Sequence, residues 1–174
     1  MSIAVYNQAF MNRAIELSII GHTSGKGLPI GCVIVKDGKI IGEGHNEIFA
    51  RNNPTAHAEM VAIEDACKKS NNMLLEGCEL YTSMQPCPMC FGAIYWASIK
   101  VVYYATSSAE AAAIGFDDAF IYHQLAKPPV QQLVPMHYIK NDEALKVLAN
   151  WKQNNYSPVA GRHSSTAADE QPGI

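Results

Sequence analysis

Two short segments that lie far apart in the chain constrain its fold more than any other feature. The first reads TAHAE at residues 55–59, and the second reads QPCPMC at residues 85–90. One imidazole and two thiolates are ligands that Zn²⁺ prefers, and three protein ligands leave the fourth metal position for water. We therefore expect a fold that brings His57 to Cys87 and Cys90 around one Zn²⁺ per subunit.

Glu59 follows His57 by two residues, and we expect it in the first turn of the same helix. A carboxylate there lies beside the metal without being needed as a ligand. It can take a proton from the zinc-bound water and pass it to a ring nitrogen and then to departing ammonia. His-x-Glu followed by Pro-Cys-x-x-Cys is the signature of zinc nucleobase deaminases. The sequence therefore predicts a hydrolytic enzyme with Glu59 as its catalytic residue.

A Cys-x-x-Cys pair on its own is also found in thioredoxin-type redox sites and in halves of structural zinc sites. The His-x-Glu upstream and the prolines on either side of Cys87 argue against both. The other cysteines lie in apolar contexts typical of buried free thiols: Cys32, Cys67 and Cys78. The other histidines are expected at the surface or in satisfied positions: His22, His45, His123, His137 and His163.

Size and charge narrow the substrate class. The chain has 174 residues, a net charge of −3 and no long run of Lys or Arg, which favours a small substrate over nucleic acid. It shows neither a secretory signal pattern nor an apolar run long enough to span a membrane. Five cysteines, an odd number, suit a reducing compartment. We expect a cytoplasmic protein with no membrane partner.

Apolar periodicity and turn signals predict helices alternating with strands, which is typical of an α/β sheet covered by helices on both faces. The expected elements are a helix over 10–20, strands over 30–35 and 39–44 joined by a tight turn, a helix over 56–69, a strand over 78–82, a helix from near Cys87 to about 97, a strand over 101–105, a helix over 107–113, a strand over 133–139 and a helix over 143–154. One deaminase domain is expected over residues 1–156, followed by a polar tail over 157–174.

The motifs resemble the cytidine deaminase-like superfamily and, within it, look most like the short bacterial guanine deaminases. The PTAHAE run at 54–59 is shared widely with tRNA adenosine and cytosine deaminases. The AIYWA run at 93–97 and the GFDDAFIY run at 115–122 look like the guanine deaminases. The resemblance extends from about residue 10 to residue 151. The sequence departs from this family pattern at Gln85, because a Glu commonly stands before the Pro-Cys in the family.

This resemblance implies a three-layer α/β/α sandwich around a mixed sheet of about five strands, with zinc at the N-terminal ends of two helices. It implies hydrolytic deamination of guanine to xanthine and ammonia, with zinc-bound hydroxide attacking C2. It also implies a homodimer, and in one arrangement of this dimer the two subunits exchange their C-terminal segments. Composition and spacing alone predict none of these properties.

Guanine has ring N–H groups and a carbonyl that a pocket must recognise. Asp118 is expected to accept from the ring N–H groups, and Asn46 to donate to the carbonyl or accept from an N–H. Trp96 is expected as an aromatic wall, since every base offers a π surface. Tyr156 is expected to close the site from either subunit, and Ala58 completes the expected substrate-binding set.

Three of these residues have a simpler alternative. Asn46 could merely end a strand, Asp118 could cap a helix, and Trp96 could be core or dimer interface. Other substrates remain open as well, namely guanosine, cytosine, an aminated triazine or tRNA adenosine. A non-catalytic zinc-stabilised binding module is a further alternative, but such a module has no need of Glu59.

Overall fold

The computed structural model describes residues 5–154 of the chain, with side chains up to Trp151. Contacts within the chain form two compact units, Met1–Pro128 and Pro129–Ile174. The first contains α1 (Gln8–Thr23), β1 (Gly31–Lys36), β2 (Lys39–His45), α2 (Ala58–Ser70), β3 (Glu79–Thr82), α3 (Pro88–Trp96), β4 (Val101–Tyr104), α4 (Ser108–Ala112) and α5 (Ala119–Leu125). The second contains a 3₁₀ turn (Pro129–Gln131) and α6 (Asp142–Asn154).

The sheet has four strands in the described part of the chain, in the order β2-β1-β3-β4. β1 runs antiparallel to β2 and β3, whereas β3 and β4 are parallel, so the sheet is mixed as expected. β1 and β2 are joined at Asp37 and Gly38, whose φ angles of 50° and 72° suit a tight hairpin turn.

The prediction of a strand over residues 133–139 is wrong. Its absence explains why the described part of the sheet has four strands where about five were predicted. None of the residues of this segment adopts strand structure. Its apolar side chains, which suggested a strand, are exposed: Leu133, Val134, Met136, Tyr138 and Ile139. β-like composition does not make a strand unless a neighbouring strand accepts its backbone hydrogen bonds.

Helices cover both faces of the sheet, which confirms the three-layer α/β/α architecture. Side chains alternate along β1, so that Cys32 and Ile34 face α2 and α3 while Val33 and Val35 face α1. α2 approaches β2 very closely at Gly44, where an added Cβ would lie 2.5 Å from the Ala58 carbonyl oxygen. The N-terminal end of α2 is thereby fixed against the sheet.

The second unit is described by itself. The apolar side chains of α6 recur at helical spacing and are exposed: Leu145, Leu148 and Trp151. The boundary between the units precedes the predicted end of the domain at residue 156, so the single domain over 1–156 stays a prediction. None of the described helices combines the length and apolarity that a membrane crossing requires.

Candidate metal centre and active site

Both predicted metal motifs lie at helix N-termini. His57 is the N-cap of α2 and Cys87 is the N-cap of α3, each with an extended backbone. Pro88 opens α3, where a missing N–H costs no hydrogen bond. Neither side chain makes a capping hydrogen bond, and the imidazole and the thiol face each other across the site. Helix N-termini also favour the negative charge of a thiolate.

The three predicted ligands form a compact donor set. The Sγ atoms of Cys87 and Cys90 each lie 3.6 Å from His57 Nδ1, and all three donor atoms lie within 4.8 Å of one another. Tetrahedral Zn²⁺ with Zn–S of about 2.3 Å and Zn–N of about 2.0–2.1 Å places sulfur and nitrogen about 3.6 Å apart. The donor types and their spacing therefore fit zinc.

Glu59 lies against this donor set in the first turn of α2, with only 3% of its surface exposed. Its Oε2 accepts a hydrogen bond from Cys90 Sγ at 3.5 Å. Burial raises the pKa of Glu59 above the usual range, because desolvation penalises the charged form. A carboxyl group with a raised pKa is suited to accept and release a proton near neutral pH.

The pKa of the Cys87 thiol is shifted in the opposite direction, downward. Contact with Cys90, and then with His57, lowers the pKa of the Cys87 thiol to about 4. The thiolate is the metal-binding form of cysteine. The bond with Cys87 in turn raises the pKa of His57.

Asn46 directly follows β2 and is fully buried. Its Oδ1 accepts hydrogen bonds from the backbone N–H groups of Leu28 at 3.0 Å and Ile48 at 3.3 Å, while its Nδ2 has no partner. The N–H of Glu47 donates to the Ala56 carbonyl at 2.9 Å, which sets Asn46 beside the start of α2. A buried donor without a protein partner calls for an explanation, and an acceptor on a bound ligand would supply one.

Asp118 is the N-cap of α5, but its carboxylate makes no capping hydrogen bond. Asp117 Oδ1 accepts from the N–H of Ala119 at 2.8 Å instead. Partial burial, followed by the negative charge of Cys87, raises the pKa of Asp118. The substrate-binding role of Asp118 stays a prediction.

The remaining predicted contacts differ in how far they are exposed. Trp96 is the last residue of α3 and is 61% exposed, which excludes the core alternative within this chain. The side chain of Ala58 belongs to the core beneath α2, so any contact with substrate would come from its backbone. Tyr156 lies outside the described residues.

Gln85, the departure from the usual Glu, links the metal loop to the start of α4. Its Oε1 accepts from the N–H of Ser108 at 2.9 Å, and its own N–H donates to the Thr106 carbonyl at 2.8 Å. The amide oxygen thus supplies the acceptor that a carboxylate would offer.

Sequence reasoning missed two features near the site. One is the loop before β1, whose Gly27 and Leu28 contact Asn46. The only available signal was the high glycine content of residues 21–29, which indicated a loop but no contact. The other is α5, in which Tyr122 has a pKa raised by burial and then by the charges of Cys87 and Asp118.

Comparison with known proteins identifies the relatives of this chain. The model of the cytidine and deoxycytidylate deaminase zinc-binding region matches residues 5–106. Guanine deaminase of Bacillus subtilis is 47% identical over 146 residues, which are 84% of this chain and 94% of that protein. Its X-ray structure superimposes with a TM-score of 0.82 at 46% identity, over 86% of this chain and 95% of that one. A tRNA-specific adenosine deaminase of Aquifex aeolicus is 36% identical over 71% of this chain and 80% of its own length.

Proposed function

This chain belongs to the cytidine and deoxycytidylate deaminase zinc-binding family, and we propose that it hydrolyses guanine at C2. Guanine and water give xanthine and ammonia, so a C–N bond is exchanged for a C–O bond without oxidation. The observation that carries the proposal is buried Glu59 in contact with Cys90 of the metal-binding set. The extent of identity with a guanine deaminase supports guanine as the substrate.

His57, Cys87 and Cys90 would hold the zinc ion. When bound, Zn²⁺ supplies Lewis acidity that makes water acidic enough to lose a proton near neutral pH. Glu59 would accept that proton and deliver it to a ring nitrogen of the base, and would then carry the second proton of the attacking oxygen to the amine, which leaves as ammonia. Its burial keeps bulk water from competing for the proton and raises its pKa toward the range in which both transfers are favourable.

Guanine would be recognised by a donor and an acceptor. The unpaired Nδ2 of Asn46 suits the 6-carbonyl, because Oδ1 of the same amide is occupied by two backbone donors. The carboxylate of Asp118 suits the ring N–H groups, since it makes no capping bond. Trp96 and Tyr156 stay predictions as an aromatic wall and a closing residue, and the backbone of Ala58 as a further contact.

The tRNA-specific relatives make tRNA adenosine the principal competing substrate. A polymer substrate is bound largely through phosphate neutralisation, whereas this chain has a net charge of −3. A non-catalytic zinc module does not explain Glu59, a buried carboxylate beside the donor set.

We propose, in addition, a homodimer in which C-terminal segments are exchanged. The exposed apolar side chains of α6 support it, because an amphipathic helix gains stability by covering such a stripe. A cytoplasmic location also stays a prediction, and the free state of all five cysteines is in keeping with it.

Ammonia release by zinc-replete protein tests the proposal, with guanine, guanosine, cytosine, adenine and an adenosine-bearing tRNA hairpin as parallel substrates. We expect release from guanine alone, abolished by a chelator and insensitive to moderate salt. Release from the hairpin, with affinity falling steeply as salt rises, would instead assign the chain to RNA. Release from none of them in a protein with bound zinc would contradict guanine deamination.

A further inference from the structure

The amide of Asn46 has a defined orientation. Its Oδ1 accepts from the N–H groups of Leu28 and Ile48, and only an oxygen can occupy that position, because Nδ2 is solely a donor. A flipped amide would lose both hydrogen bonds and set donors against donors. The NH₂ group is therefore held on the opposite side, buried and without a partner.

Gly27 is the residue that makes this arrangement sterically feasible. A Cβ added at Gly27 would lie 2.3 Å from both the backbone oxygen and Oδ1 of Asn46, closer than real Cβ atoms approach any neighbour. Any side chain at this position must therefore displace Asn46 or the loop that carries Gly27.

Backbone hydrogen bonds join the two loops that meet at this point. The carbonyl of Lys26 accepts from the N–H groups of Phe49 and Ala50, at 3.1 and 3.0 Å, and the N–H of Asn46 donates to Ile30 at 2.9 Å. The loop before β1 and the loop after β2 thus form one unit around the Asn46 side chain. Because the second loop continues to His57, this unit adjoins the metal-binding set.

We propose that Gly27 and the backbone N–H of Leu28 are positioning residues that hold the Asn46 amide with its donor toward the substrate, and so select a purine with a 6-carbonyl over one with a 6-amine. This inference rests on the proposed function, since it assumes a 2-aminopurine in the site. Guanine offers an acceptor at position 6, whereas 2,6-diaminopurine offers a donor and carries the same 2-amine. A donor fixed in the pocket pairs with the first and opposes the second.

The selection is measured as the ratio of kcat/KM for guanine to kcat/KM for 2,6-diaminopurine. A site built to hydrogen-bond a substrate group discriminates strongly against an analogue that lacks it, and we expect at least roughly 10²-fold in the unmodified protein. Gly27→Ala should retain zinc, raise KM for guanine by roughly 10-fold or more and reduce the ratio. Asn46→Asp, which presents an acceptor in place of the NH₂ group, should reverse the preference.

Gly42→Ala is the matched control. A Cβ there would lie 2.5 Å from the Ala62 carbonyl oxygen, so the substitution strains the contact between β2 and α2 away from Asn46. It should lower Tm yet leave the substrate ratio unchanged. A ratio that is unchanged in Gly27→Ala, or equally reduced in Gly42→Ala, would overturn the positioning role while guanine deamination still stood.

A second measurement needs neither Gly27→Ala nor turnover. Hydrogen exchange of the Leu28 amide should be slow in the unmodified protein and faster in Asn46→Ala, because Asn46 Oδ1 is its acceptor. Equal protection in the two proteins would overturn the inference. If the unmodified protein released no ammonia from guanine but Leu28 lost protection in Asn46→Ala, the proposed function would fail and the positioning contact would remain.

Discussion

The metal-binding set and the residues expected to read the base are built in different ways. His57, Glu59, Cys87 and Cys90 all lie in the first turns or N-caps of two helices that pack on the sheet. The base-reading residues lie on loops or exposed helix ends: Asn46, Asp118 and Trp96. The proposed chemistry thus rests on two helix N-termini packed on the sheet, whereas the proposed recognition rests on side chains outside these two N-termini, of which Asn46 is fully buried and Trp96 exposed. Relatives named for guanine and for tRNA adenosine are in keeping with this division.

Loss of a metal ligand is the change expected to have the largest effect. Cys90→Ala removes a buried thiolate of the donor set, so zinc should fall well below one ion per chain and guanine turnover should fall to background. Metal analysis and ammonia release measure the two effects. Cys67→Ala, a free thiol outside the donor set, is the control and should retain both. Stoichiometric zinc in Cys90→Ala would reject that ligand.

Loss of the carboxylate that is proposed to accept hydrogen bonds from guanine should leave the metal in place and weaken recognition of guanine. Asp118→Asn keeps the size of the side chain but replaces a carboxylate oxygen with a donor, and we expect kcat/KM for guanine to fall roughly 10²-fold. Zinc content should not change. Asp117→Asn is the neighbouring control, since its amide oxygen can still accept from Ala119. If the two variants lose activity equally, Asp118 has no special role.

The exposed aromatic wall should contribute less. Stacking of a base on an aromatic side chain is worth about 1–3 kcal/mol, so Trp96→Ala should raise KM by roughly 10-fold with little change in kcat. Steady-state kinetics and sedimentation measured together separate the two interpretations of Trp96. An unchanged KM accompanied by dissociation of a dimer would place Trp96 in the interface rather than in the pocket.

The smallest effect is expected at Gln85, which supports the metal loop without belonging to the donor set. Gln85→Glu preserves the acceptor for the N–H of Ser108, so zinc content should be unchanged and kcat/KM should change less than roughly threefold. Gln85→Leu removes the acceptor and should lower Tm. A loss of zinc in Gln85→Glu would show that the amide contributes more than this acceptor.

The difference between the metal-binding set and the base-reading residues also explains which features the sequence could predict. Ligand types at characteristic spacing identified the metal-binding set, and β-branched runs on either side of the Asp37-Gly38 turn identified the hairpin of β1 and β2. Contacts between loops have no such periodic signal, so the hydrogen bond from Leu28 to Asn46 could not be anticipated. The strand over 133–139 was predicted wrongly because its composition reports β propensity but not the presence of a partner strand.

Glu59→Gln tests most directly the claim that proton transfer is separable from metal binding and base recognition. Glutamine keeps the size of the side chain but cannot carry the proton, so zinc content and guanine binding should persist while kcat falls by at least roughly 10²- to 10⁴-fold. Metal analysis, guanine binding by calorimetry and single-turnover ammonia release on one preparation measure all three quantities. A Glu59→Gln protein that retains zinc and turns over guanine at the unmodified rate would contradict the account.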